Sequence, residues 1–405
     1  MAVMRGAAPP DSSDLDPFSP EFRANPFEPY RQLREFAAPA VWLTKHSIWV
    51  VSRYDAVRAV LGDWKRFSNA GGGGLTNYFL EKPWRRPSLI LEVDPPEHQR
   101  TRRVLMQVIS ADRLQRLRAT FEVQADALID EALERGTLDA IPDLVQRFPL
   151  TVFPDAVGMR REDRSTMLTY GAMVFGGFGP VTPWYQDLMK QADTVSAWIM
   201  ERCQRQTLAA DGIGAAIYAH ADAGDIEQGE ATLLVRSLLS AGVDTTIDSI
   251  GLCLRCLAEH PEQWALLRAD PQLARSAFEE ATRFDSSSQS LFRTTLEDVD
   301  FQGVPLQKHQ KVLVLIGAAG RDPAKWADAD RFDVTRRVTA SQIGYGAGIH
   351  SCVAQMMARL EGEVFFASLA RKVQDIELIG PAQLRLQPGL RGLRSLPLRL
   401  IRKTS

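Results

Sequence analysis

What this chain lacks narrows it first. Four cysteines (Cys203, Cys253, Cys256 and Cys352) in 405 residues are too few for a disulfide scaffold, so a reduced, cytoplasmic protein is expected. No apolar run reaches the roughly eighteen residues of a membrane-spanning helix, and no membrane insertion is expected. Met1 to Asp16 has no apolar core of signal-peptide length and carries Pro9 and Pro10, so no secretion signal is expected. Lys and Arg number 48 against 50 Asp and Glu, a balance without the basic footprint of a general nucleic-acid binder. No repeat at a fixed period occurs, which argues against a solenoid. A hydrophobic share of 45% with 24% charged residues excludes wholesale disorder.

The organisation is mainly helical with small β-sheets. Residues 1–20, rich in Pro, Ser and Asp, read as a mobile leader, and residues 21–405 as one domain. Ala40 to Ser52 suits a hairpin, Val299 to Val304 and Lys311 to Ile316 suit two strands, and Leu384 to Ile401 is a further β candidate. Asp112 to Arg135 has helical spacing and a stop at Gly136. Glu227 to His260 is the longest helical candidate. Its middle, Ser240-Ala241-Gly242-Val243-Asp244-Thr245-Thr246, holds residues that helix interiors avoid and that kink helices.

The sharpest segment runs from Gly344 through Tyr345, Gly346, Gly348 and His350 to Cys352, followed by a helical run from Gln355 to Lys372. A glycine-rich loop thus delivers one cysteine to a helix N-terminus, where free N–H groups and the dipole favour a thiolate. The glycines let backbone approach a flat ligand. A dinucleotide loop fits less well, because Ser351 replaces the third glycine and no strong strand precedes it. A buried structural cysteine is the bland alternative.

Three weaker signals accompany it. Glu280 and Arg283 lie one helical turn apart, which on its own is an ordinary i,i+3 pair. His98 and Arg102 lie at i,i+4 after Pro95-Pro96 and could grip an anion from one helix face. Asp244-Thr245 interrupts an apolar helix.

In this order and spacing, these segments resemble the cytochrome P-450 superfamily of haem-thiolate monooxygenases, from about residue 25 to the end. The family loop F-G-x-G-x-H-x-C-x-G is matched by Tyr345-Gly346-x-Gly348-x-His350-x-Cys352-x-Ala354, with Tyr for Phe and Ala for the last Gly. The resemblance implies the cytochrome P-450 fold, with haem b between the long distal helix and the Cys-loop helix. It implies Cys352 as the axial iron ligand, whose thiolate favours O–O cleavage. It implies His98, Arg102, Arg293 and His350 as propionate partners, with Gly346 and Gly348 in the haem-facing loop. Glu280, Arg283 and Arg331 resemble the family's structural Glu-Arg-Arg network. Asp244 and Thr245 resemble the acid–alcohol pair that serves oxygen activation. Cys253 and Cys256 form a C-x-x-C in mid-helix without a second pair, and no metal or redox role is assigned to them.

The substrate must be argued from the pocket. The Pro83–Leu91 segment should overhang the haem, Arg236 and Ser237 sit two turns before Asp244, and Phe175 and Phe178 fall in a glycine-rich stretch. Two aromatic rings could sandwich a ring, and two serines with an arginine could hold a carboxylate. The pattern resembles bacterial enzymes that oxidise para-substituted benzoates, including 4-methoxybenzoate O-demethylases. That resemblance implies carboxylate contacts at Arg85, Ser88, Arg236 and Ser237, and ring packing by Phe175 and Phe178. Leu291 stands where that branch has a further Phe. Leu91, Val174, Ser240 and Ala241 are expected to complete the pocket. The expected reaction converts 4-methoxybenzoate into 4-hydroxybenzoate and formaldehyde. A guaiacol-type phenol is the alternative substrate, and a peroxide-driven peroxygenase or a haem sensor without turnover is an alternative of another class. Electrons should come from NAD(P)H through a separate reductase and an iron–sulfur ferredoxin, with Arg100, Arg103 and Arg359 as a docking face. A monomer is expected.

Overall fold

The computed structural model describes residues 9 and 11–403. Most of them lie in helices, and the strands form one six-stranded sheet, one of three strands and two hairpins. The six-stranded sheet runs Ser12–Ser13, Val41–Leu43, Ile48–Val51, Lys311–Val314, Leu291–Thr295, Phe67–Ser68. The anticipated hairpin is its second and third strands, and the Lys311 strand joins it in parallel to Ile48–Val51. The region read as a leader is partly built into this sheet. Ser12 and Ser13 pair in parallel with Trp42 and Leu43, and Phe18 is buried in an apolar cluster with Phe292 and Leu313. Residues 1–8 and 10 of that segment lie outside the described residues.

Local chemistry sets the helix ends. The Ala111–Arg135 helix starts where the Ser110 side chain accepts from Arg113 N–H and stops at Gly136, with φ 69°. Glu227 and Glu230 form a reciprocal capping box at the start of the Gln228–Gly242 helix. The expected single helix over 227–260 is two helices, Gln228–Gly242 and Asp244–Glu259, meeting at Val243. A Cβ at Gly242 would strike the Phe153 ring, so this crossing requires glycine. Thr245 Oγ1 donates to the Ala241 carbonyl at 2.8 Å and Thr246 Oγ1 to that of Gly242 at 3.0 Å, tying the halves together. The largest apolar cluster contains both halves and the Gln355–Lys372 helix. No helix among the described residues is long and apolar enough to cross a membrane.

Candidate active site

Cys352 lies between a short 3-10 turn, Gly348–His350, and the Gln355–Lys372 helix. Its amide donates to the Tyr345 carbonyl at 2.8 Å, which closes the loop. Gly346 and Gly348 have φ of 75° and 71°, the left-handed region that glycine occupies without strain. A Cβ on Gly348 would also collide with the Leu61 carbonyl. Burial pushes the Cys352 thiol up, against the Ala354 amide and the Arg102 and Arg359 charges, which favour the thiolate. Among the described residues no three His, Cys, Asp or Glu side chains gather as a metal cluster, so Cys352 is an isolated sulfur donor. Cys253 and Cys256 are fully buried and their thiols are held well up by desolvation, as suits packing residues.

Beside the loop, four cationic or protonatable groups converge. His98, on the Glu97–Val108 helix, and His350 have ring centroids 4.1 Å apart, and none of their ring nitrogens has a hydrogen-bond partner. Burial, His350 and Arg102 bring the His98 imidazole down to about 4. Arg293 is buried, its guanidinium donates only to the neighbouring Phe292 carbonyl at 2.7 Å, and desolvation lowers it to about 10. Arg102 donates to the Ser351 carbonyl at 2.8 Å and hydroxyl at 3.2 Å. Leu291 shares Arg293's strand face.

Asp244 is fully buried, and desolvation pushes its carboxyl up to about 7. Arg385, on the Gln383–Leu386 strand, opposes that shift from 3.7 Å. Thr245 is the next residue, with its hydroxyl on the Ala241 carbonyl.

The expected carboxylate clamp is brought together in part. Ser88 Oγ and Ser237 Oγ are 3.0 Å apart and buried. Arg236 is buried beside them, and its hydrogen bonds go only to the carbonyls of Arg86 (3.0 Å) and Pro87 (3.3 Å). Arg85 departs from expectation. It makes a two-pronged ion pair with Glu92, at 2.9 and 3.0 Å, and Glu92 also accepts from the Ser88 amide at 2.7 Å. The Arg85 charge is therefore neutralised within the protein, and Arg236 is the cation without a carboxylate. Phe175 and Phe178 also differ from a sandwich. Phe175 lies in the last turn of a helix, Thr166–Gly176, and the two rings meet edge to face at 5.5 Å. Val174 is buried next to Phe175, Leu91 lies near Phe178 across Gly73, and Ser240 and Ala241 precede the helix break. The glycine loop over 71–74 is tied down: Lys311 donates to the carbonyls of Gly71 and Gly72 at 3.0 and 2.9 Å, and Leu75 N–H to that of Phe178 at 3.0 Å.

The Glu280 network needs one correction. Arg283 donates to both Glu280 oxygens at 2.7 Å, as expected. The second arginine side chain on Glu280 is Arg336, at 3.2 Å. Arg331 is exposed and contributes its backbone carbonyl to Arg283 at 3.1 Å. Adjacent Glu279 reaches the other way, to Arg359 on the Cys-loop helix and to Gln342. Arg359 is thus buried rather than a docking residue, and Arg100 is paired with Glu230 at 2.6 Å, which leaves Arg103 exposed.

Comparison with known proteins places this geometry. The family model described as Cytochrome P450 matches residues 200–374. The chain is 50% identical over 387 residues to "Cytochrome p450 CYP199A2" of Rhodopseudomonas palustris, covering 95% of this chain and 93% of that one. The chain belongs to the cytochrome P450 family. It is 32% identical over 408 residues to "Cytochrome P450 monooxygenase PikC" of Streptomyces venezuelae, covering 97% and 95% of the two chains. Among solved structures, CYP109Q5 from Chondromyces apiculatus matches with a TM-score of 0.81 at 26% identity, covering 98% of this chain and 100% of that one. CalO2 matches with a TM-score of 0.84 at 27% identity, covering 95% and 98%. This P450 is accordingly a haem-thiolate monooxygenase that uses haem b, O2 and electrons from redox partners.

The residues present fit such a cofactor. A flat, dianionic group matches the unpartnered nitrogens of His98 and His350 with buried Arg293, because buried donors and charges demand acceptors. Asp94 alone, 3.9 Å from His350 Nε2, does not satisfy them. Four further residues of the site were not singled out from sequence. Asp248 was legible as an acid one turn after Asp244. Arg336 and Arg385 act through distant pairings that sequence spacing does not encode, and Glu92 meets Arg85, seven residues away, across an irregular loop with no helical or strand register to mark the pair.

Proposed function

We propose that this P450 oxidises a small aromatic carboxylic acid at its para position, with 4-methoxybenzoate as the model substrate. The observation that carries the reading is the buried Ser88–Ser237 hydroxyl pair beside an arginine, Arg236, whose only hydrogen-bond partners are carbonyls. An uncompensated buried cation with two turnable hydroxyls is matched by one carboxylate. Ser237 now donates to the Leu233 carbonyl at 2.8 Å, and either hydroxyl gains a charge-assisted bond by turning to an anion. Phe175 and Phe178 then supply an apolar wall for the ring.

Cys352 would hold the haem through its sulfur and His98, Arg102, Arg293 and His350 would take its acidic groups; the haem would supply the oxygen activation that puts one atom of O2 into a substrate C–H bond. The chain's own residues do the rest. Ser88, Ser237 and Arg236 anchor the carboxylate, which fixes the far end of the ring and so selects the para substituent. Asp244, whose carboxyl stands at about 7, exchanges a proton near neutral pH and passes it towards the Thr245 hydroxyl. Insertion into a methoxy C–H gives a hemiacetal, which releases formaldehyde and leaves 4-hydroxybenzoate. An iron–sulfur ferredoxin served by an NAD(P)H reductase is the electron source consistent with this reading.

The test is turnover of 4-methoxybenzoate with a ferredoxin and its reductase. Equal amounts of formaldehyde and 4-hydroxybenzoate are expected. Consumption of NADH without either product would sink the reading.

A further inference from the structure

Asp248 has no place in the function proposed above, yet it shares an arginine with Asp244. The two acids lie one turn apart on the Asp244–Glu259 helix, and both are buried. Arg385 Nη2 bonds Asp248 Oδ2 at 2.6 Å, while Nη1 stands 3.7 Å from Asp244 Oδ1, beyond hydrogen-bond reach. Asp244 Oδ1 and Asp248 Oδ1 are both buried without a hydrogen-bond partner. Apart from the strand that carries Arg385, the elements packed on the carboxyls present glycines to them. Gly171 abuts the Asp244 carboxyl and Gly392 the Asp248 carboxyl, so closely that a Cβ at either glycine would collide. Arg385 and the two acids themselves are the charged groups that bear on the pair.

The two buried carboxyls share one guanidinium and cannot both ionise cheaply, because the second negative charge is buried without a partner. The guanidinium sits on Asp248, so the shared proton falls to Asp244. We propose that Asp248 is a positioning residue: it holds Arg385 on itself and so leaves the proton that the two acids share on Asp244, ready to donate. This rests on the reading of Asp244 as the proton carrier. When Asp244 donates, its proton leaves a carboxylate on which Arg385 Nη1 is placed to close, and a proton from solvent water restores the acid. Arg385 also lines a cavity of about 30 Å³ with Arg23, Gln387 and Arg391, room for about two waters.

Infrared difference titration of the resting protein reads the C=O stretch of protonated carboxyls without turnover. A band that titrates near neutral pH and disappears in Asp244→Asn is expected. Asp248→Asn frees Arg385 for Asp244, so that band should titrate about 2 pH units lower, within the range by which an adjacent guanidinium lowers a carboxyl. Asp248→Glu should restore it. Arg385→Gln removes the cation and should move the titration upward. Opposite shifts in these two variants are not produced by simple loosening of the fold. Any band from buried Glu361, whose carboxyl is held well up by desolvation, should not move with either change. In turnover, Asp248→Asn should raise the solvent deuterium isotope effect on product formation. An Asp244 band that titrates identically in wild type and Asp248→Asn overturns the proposal. If instead the infrared shifts occur but Asp244→Asn leaves turnover and its isotope effect unchanged, the proton-carrier reading beneath it falls.

Discussion

Three substitutions separate the residues that hold the segment before the Cys-loop from those that only pass nearby. Glu280 is wholly buried and accepts from Arg283 Nε and Nη2 at 2.7 Å, from the Asp333 amide at 3.1 Å and from Arg336 Nε at 3.2 Å. Removing it in Glu280→Ala strands the Arg283 guanidinium, which is itself fully buried. Breaking a buried pair from one side costs about 3–5 kcal/mol. Arg336 is 16% exposed and makes one longer contact to the same carboxylate, so Arg336→Ala should cost about 1–2 kcal/mol. Arg331 is exposed and gives only a backbone carbonyl, which Arg331→Ala keeps, so its cost should stay within about 0.5 kcal/mol. Urea midpoints of the three variants, at an unchanged m-value, read this ladder directly. Haem content per chain should fall in the same order, because neighbouring Glu279 anchors Arg359 on the Cys-loop helix. Equal losses in Arg331→Ala and Arg336→Ala would refute the assignment.

Further outcomes follow from the pocket. Arg236→Gln should weaken 4-methoxybenzoate binding about 10- to 100-fold, the weight of one charge-assisted contact, with little loss of stability. Arg85→Ala should instead destabilise the protein, because Glu92 is then left buried and unpaired, and a urea midpoint unchanged from wild type would contradict the ion pair. Gly74→Ala should reduce substrate affinity without touching the substrate, because the new Cβ would press on the Phe178 backbone, and an unchanged dissociation constant would count against that wall. The Asp244 carboxyl stands at about 7 in the fold against 3.8 unperturbed. Its folded value is the higher one, so the stability it contributes is fully present below the unfolded value and is lost as pH rises through the folded value. Asp244→Asn should therefore flatten the dependence of the urea midpoint between about pH 4 and 7, and parallel slopes would sink this.

Much of the site was legible because its parts are local in sequence. The Cys-loop glycines, the turn from Pro95-Pro96 into the His98 helix, and Asp244-Thr245 carry their geometry in a few neighbouring residues. The Gln355–Lys372 helix and the Gly136 stop followed from periodicity and one left-handed residue. What escaped was long-range pairing. The Leu291–Thr295 strand is set by its neighbour Lys311–Val314, and the Ser12–Ser13 strand by Val41–Leu43. Glu92 neutralises Arg85 from seven residues away across an irregular loop that has no register to mark the pair, and nothing in the C-terminal tail announces that Arg385 will reach Asp248. Arg331 and Arg336 are equally plausible partners for Glu280 on spacing, and only the path of the chain between them decides.

The central claim is recognition of an aromatic carboxylate beside the haem. It is tested most directly by titrating the purified ferric protein with 4-methoxybenzoate and with its uncharged analogue 4-methoxytoluene, following the haem Soret band. The account predicts a blue shift to high spin at low acid concentration and a much weaker response to the neutral analogue. An equal response to both would contradict the Ser88–Ser237–Arg236 clamp, and no response to either would point to a phenolic or larger substrate.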